Sequence, residues 1–210
     1  ELGEMGEIRW RVQQDVEQRK QTGLILDQQD NRDAIAQYVR DTRVLDCITH
    51  NSSLALHAGH YGAREVTEVK ISEYACQFAT ENARLNGLED RVHFQEANAF
   101  DLLAEQSRHG EKYDVIILDP PAFTKNHATV KSALRGYKEI NLRAMRLLPR
   151  GGYLATCSCS NFMTEELFCK MLRDADADDA VSLRQIEDRQ QSPDQPILWK
   201  VPETKSLNTY

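Results

Sequence analysis

"YDVIILDPPAF", residues 113–123, joins the unbroken apolar run Val115–Leu118 to an acid and two prolines. A run with no polar alternation is a strand covered on both faces, as at the centre of a parallel sheet. The prolines end it, because proline fixes φ and has no N–H to donate. Asp119 is therefore presented from a stiff loop at the carboxyl end of a central strand.

Outward from this point, strands and helices alternate. Toward the amino end, residues 43–48 ("RVLDCI"), 65–71 ("EVTEVKI") and 91–97 ("RVHFQEA") read as strands. Helices follow them at 52–59, at 72–87 with Ser72 as cap and Gly87 as stop, and at 99–110. Toward the carboxyl end come a helix over about 130–148, a strand at 151–158, a helix at 164–178, a strand at 181–188, and a mostly irregular tail. Before the alternation, residues 7–16 and 22–28 read as a hairpin, and 30–41 as a helix capped by Asp30. This order predicts a doubly wound α/β sheet with a short N-terminal β-hairpin piece.

The chain has 210 residues, 40% hydrophobic and 28% charged, as expected of a globular domain. No apolar run approaches the roughly 18 residues of a membrane helix. Five cysteines in no regular framework predict reduced thiols and a cytoplasmic setting. The net charge of −7 excludes a body coated in cations for nucleic acid. Residues 120–150 depart from that balance, with seven cations and only Glu139 as acid. They form either a solvated helix face or a local phosphate-facing patch.

Ligands of open α/β sheets bind beyond the carboxyl ends of the strands. The first of those ends, "THNSSL" at 49–54, lacks the G-x-G-x-x-G of a dinucleotide site, and there is no P-loop. The last, "TCSCS" at 156–160, carries two cysteines. One C-x-C without a second pair is poor support for zinc. A disulfide between them would be badly strained, since alternate Cβ atoms of a strand lie roughly 7 Å apart. Alternation puts Cys157 and Cys159 on one face, but Cys159 is nearer the strand end and Asp119. Cys157 is assigned to packing and Cys159 to the site.

"LDPPAF", "RGYKEIN", "TCSCS" and "TGLILDQQDNR" together resemble the ribosomal-RNA large-subunit methyltransferase I family. The resemblance runs from about Thr22 to Thr204. It implies a class I, Rossmann-like methyltransferase that uses S-adenosylmethionine to make 5-methylcytosine in ribosomal RNA. On this basis the chain is an excerpt of a longer protein: residues 1–29 end a hairpin-containing linker domain, and residues 30–210 form the methyltransferase domain. RNA is the implied partner, and family members often form dimers. Cys159 and Asp119 match the catalytic positions. The implied cofactor site is Gln28, Asp46, Thr49, Asn51, Ser52, Lys70, Ile71, Asn98, Ala99 and Asp119. Pro120, Pro121, Phe123, Lys125, Arg135 and Lys138 are implied at the substrate, and no metal is implied.

Three positions differ from the family pattern, among them Gln195 where the family usually has His. Ser52 replaces the last glycine of the cofactor loop, and Lys70 stands where an acid should accept bonds from the ribose hydroxyls. Lysine has donors only. The alternative expectation is therefore an impaired relative with weak cofactor binding, acting as an RNA-binding or assembly module.

Overall fold

β6 (Val115–Leu118) lies between β3 (Arg43–Cys47) and β7 (Tyr153–Ser158), parallel to both, in a computed structural model of the chain. The structure describes residues 2–5, 8–11, 28–49, 52–124, 126–160, 162–178, 182–193, 195–201, 204–205 and 207–210. With β4 (Glu65–Lys70), β5 (Val92–Glu96), β8 (Arg189–Gln190) and β9 (Asn208–Thr209), these strands form a seven-stranded sheet ordered β5-β4-β3-β6-β7-β9-β8. The first five strands are parallel, and β9 runs antiparallel to both neighbours. All four β6 residues are buried, as the unbroken apolar run requires.

Alternation along the central strands supplies two cores. Val44, Val66, Val92, Val115 and Ile117 pack with Leu54, Leu56 and Ala58 of α3 (Ser53–His60), with Ile35 and Val39, and with Ile8. Leu45, Cys47, Val69, Ile116 and Leu118 pack with Leu102 and Leu103 of α5 (Ala99–His109) and with Ile140, Ala144 and Leu147 of α6 (Val130–Leu147). A third cluster joins α6 to α7 (Glu165–Asp178) through Tyr137, Phe168 and Met171. In α4 (Glu73–Leu85) the Ser72 hydroxyl accepts from Ala75 N, and Gly87 turns the chain out at φ +63°. Among the described residues no helix is long and apolar enough to cross a membrane.

Three readings change. The N-terminal hairpin pairs β1 (Leu2–Met5) with β2 (Ile8–Arg11), and residues 22–27 of the expected second strand lie outside the described residues. The first helix, α1 (Gln29–Ala34), is preceded by Gln28 and continues as α2 (Ala36–Val39), so Asp30 stands in its first turn instead of at its cap. A carboxylate there still meets the positive end of the helix dipole. Residues 182–188 form no strand; β8 begins at Arg189, because β9, from the tail read as mostly irregular, takes the place beside β7.

α3 approaches the sheet closely at Gly59, where an added Cβ would lie 2.5 Å from Val92 Cγ2. Alanine gains about 1 kcal/mol of helix propensity there, but overpacking typically costs about 1–3 kcal/mol. Gly59→Ala is expected to lower the midpoint of urea unfolding.

Candidate active site

The parallel register sets the ends of β3, β4, β6 and β7 side by side. Cys47 pairs with both Val69 and Leu118, and Leu118 pairs with Thr156. The side chains just beyond these positions make two clusters.

The first cluster is a set of buried charges. Asp46 and Glu68 are cross-strand neighbours, and both are fully buried. The Thr49 hydroxyl donates to Asp46 Oδ1. Asp46 Oδ2 has no partner among the described residues. Lys70 Nζ lies 2.5 Å from Glu68 Oε1 and donates to the Thr49 carbonyl at 2.6 Å. Burial, then the Glu68 charge, push the Asp46 carboxyl well above its ordinary value, while Thr49 and Lys70 oppose them. Glu68 is also raised by burial, against the pull of Lys70 and a hydrogen bond from Ser52. One ammonium thus compensates two buried carboxyls.

The connecting loop is strained. Ile48 and Ser52 take left-handed φ values of +70° and +60°. A β-branched residue there is a conformational outlier. Ser52 stands at the position where glycine would be free of cost, so the sequence departure falls on backbone geometry as well as on room for a ligand. His50 and Asn51 lie outside the described residues.

The second cluster surrounds β6 and β7. Cys159 follows the last residue of β7, so the expectation that it shares a strand face with Cys157 does not apply. Cys157 is 2% exposed, and burial, then the Asp119 charge, hold its thiol strongly protonated. Cys159 is half-buried, with Sγ 3.5 Å from the carbonyl of Pro120, next to Asp119. All five cysteines are free thiols. The two loops are tied together, since Ser160 Oγ donates to the Thr124 carbonyl at 3.0 Å. Gln28 Nε2 donates to Asp119 Oδ1 at 3.1 Å. Gln28 and Asp119, both expected at the cofactor, thus meet each other directly.

Sequence reading did not single out Asn31, Tyr137, Ser160 or Thr209. Tyr137 OH accepts from Ser158 Oγ at 3.3 Å, and burial raises the phenol's pKa. Asn31 lies inside the "LDQQDNR" stretch, which could have flagged it, whereas Thr209 is in the tail and carried no signal.

The substrate set divides. Pro120 is buried and Pro121 exposed beside Asp119. Phe123 packs on Tyr137 with ring centroids 4.5 Å apart, so its ring serves the loop's own core. Lys138 is committed to Asp178 of α7 at 2.7 Å. Arg135 lines the α6–α7 seam with it. Arg143 is held by Glu139 and by the Phe100 carbonyl. The expected basic patch is therefore partly neutralised by the fold. Lys125 lies outside the described residues.

A half-exposed thiol and an acid beyond the carboxyl ends of a parallel α/β sheet stand where enzymes of this architecture bind their ligands. The sequence profile of S-adenosylmethionine-dependent methyltransferases matches residues 2–208, and the chain belongs to that family. It is similar to ribosomal RNA large subunit methyltransferase I of Tolumonas auensis, 41% identical over 194 residues, which are 92% of this chain and 49% of that protein. The chain therefore spans about half the length of this curated relative. In fold it is similar to SMU.776 solved with SAH (TM-score 0.85, 20% identity, 100% of this chain and 54% of that one). A SAM-dependent methyltransferase from Agrobacterium tumefaciens is also similar (TM-score 0.72, 20% identity, 84% and 57%).

The cofactor is S-adenosylmethionine, and the residues present fit most of it. The unpartnered Asp46 Oδ2 is a buried acceptor suited to the cofactor's ammonium. Ile71, 76% exposed at the end of β4, offers an apolar platform for a purine face. Asn98 and Ala99 start α5 beside it, with Asn98 Oδ1 taken by the Phe100 N–H at 2.9 Å. Lys70, expected at the ribose, has donors only and is engaged by Glu68 and the Thr49 carbonyl.

Two outcomes test this geometry. A carboxyl raised by folding stabilises the fold while protonated. That contribution is present below the unfolded value of about 4 and is lost as pH rises through the raised folded value. Asp46→Asn, which keeps the acceptor for Thr49, is therefore expected to match the parent near pH 4. It should exceed the parent by roughly 1–3 kcal/mol at high pH in urea titrations. At position 52, Ser52→Gly should be more stable than Ser52→Ala by about 1–2 kcal/mol, because both lose the hydroxyl and only alanine retains left-handed strain.

Proposed function

We propose that this chain is the catalytic part of a methyltransferase that modifies C5 of a cytosine in ribosomal RNA, with Cys159 as nucleophile. The observation that carries the reading is the placement of a half-exposed Cys159 thiol against the carbonyl of Pro120, one residue from Asp119, while Cys157 is buried beneath. The similarity to proteins named ribosomal RNA large subunit methyltransferase I supports the substrate.

Cytosine C5 is a poor nucleophile, and covalent addition at C6 activates it. Bound S-adenosylmethionine supplies an electrophilic methyl on a sulfonium. Asp119 accepts the thiol proton of Cys159 and passes it to N3 as sulfur bonds to C6. The C5–C6 electron pair moves onto C5, which takes the methyl as the sulfonium carbon–sulfur bond breaks and a neutral thioether is left. A base in the cleft removes the C5 hydrogen, the C6–S bond breaks to re-form the double bond, and N3 returns its proton to Asp119. A cytosine reaches this site only when turned out of its stack. Pro121 and the exposed start of α6 border the opening and suit flanking nucleotides.

Lys70 favours a second reading, a chain with weakened cofactor affinity that serves as an RNA-binding or assembly module. Isothermal titration separates the two: heat with S-adenosylmethionine at or below millimolar concentration supports the enzyme, and silence supports the module.

With tritiated cofactor and a ribosomal RNA fragment, Cys159→Ser is expected to bind cofactor like the parent yet transfer no methyl above background. Cys157→Ser is expected to keep most of the activity. Loss of transfer in Cys157→Ser alone would reverse the assignment of the two cysteines. Mass mapping of the product should place the methyl on cytosine C5.

A further inference from the structure

Beneath Asp119 runs a chain of hydrogen bonds whose direction is set by its two ends. A carboxylate only accepts, so the Gln28 amide must turn its NH₂ to Asp119 Oδ1, at 3.1 Å. Gln28 Oε1 then faces Asn31 and accepts from Asn31 Nδ2 at 2.7 Å. The same Asn31 Nδ2 donates to Thr209 Oγ1 at 3.0 Å. The threonine proton is left for Cys157 Sγ, 3.4 Å away. Gln28, Asn31, Cys157 and Thr209 are all buried, so no solvent competes for these bonds. Reversing either amide would set carbonyl against carboxylate or carbonyl against carbonyl.

We propose that Asn31 and Thr209 are positioning residues that orient the Asp119 carboxyl through Gln28, with Cys157 as the acceptor that ends the chain. The proposal rests on the methyl-transfer reading, in which Asp119 moves a proton to and from the base. Gln28 donates to Oδ1 and so confines any proton on this carboxyl to Oδ2. The donated bond also favours the ionised form. Cys157 thereby has a task of its own, separate from the nucleophile two residues on: it gives the Thr209 hydroxyl a fixed direction. Among the described residues, Asp46, Cys157 and Tyr137 are titratable groups that feel the Asp119 charge.

The test compares Thr209→Val with Thr209→Ser, because valine keeps the shape and β propensity of threonine and serine keeps its hydroxyl. Single-turnover methyl transfer to a ribosomal RNA fragment is measured against pH. The Asp119 carboxyl is titrated by carbon-13 NMR in RNA-free protein. Thr209→Val should be about tenfold slower at saturating substrates, with the cofactor KM changed by less than about twofold. The acidic limb of its rate profile and the Asp119 titration should both move to higher pH, and Thr209→Ser should restore both. Gln28→Met breaks the chain at its other end and should move the same titration in the same direction. Parent-like rates and an unmoved Asp119 titration in both Thr209→Val and Gln28→Met would overturn the proposal. Methyl transfer by Cys159→Ser would instead sink the thiol reading, and the carboxyl titration would still report whether the chain orients Asp119.

Discussion

The parallel pairing of β6 with β3 on one side and β7 on the other is the constraint from which the rest follows. It sets Cys47, Leu118 and Thr156 level, so the residues just beyond them leave the sheet at one height. Asp119 and Cys159 come from strands widely separated in sequence, and only this register brings their loops together. The four buried side chains of β6 supply much of the hydrophobic grip that holds it. The prolines after Asp119 then keep the ladder from continuing into the site.

β6 was legible because Val115–Leu118 is too apolar to be anything but covered on both faces, and the other strands followed from their spacing between helices. Caps such as Ser72 and Gly87 were legible because their chemistry is local. β9 was not, since two residues in a polar tail carry no period, and their pairing depends on an edge that β7 offers. The same limit explains the missed Thr209. Cys159 and Asp119 were read from position along their strands, and the structure sets Cys159 Sγ against the carbonyl next to Asp119. The commitment of Lys138 to Asp178 could not be foreseen, because charge counting does not reveal which cations the fold neutralises.

At the other end of the crevice, the substitution at position 70 has been absorbed and not merely tolerated. Lys70 curls back over Glu68 and the Thr49 carbonyl, so a cation that would be costly alone satisfies an acid one pleat earlier and a buried backbone acceptor. Lysine has donors only, where the family pattern leads one to expect an acceptor. Removing only one member of the pair would leave its partner as an unmatched buried charge.

Asn31 and Thr209, bonded side chain to side chain, are 178 positions apart. Closing a loop of that length costs entropy before any bond rewards it. The aim proposed for Asp119 thus depends on a pairing made across the sheet, between α1 before β3 and β9 beside β7.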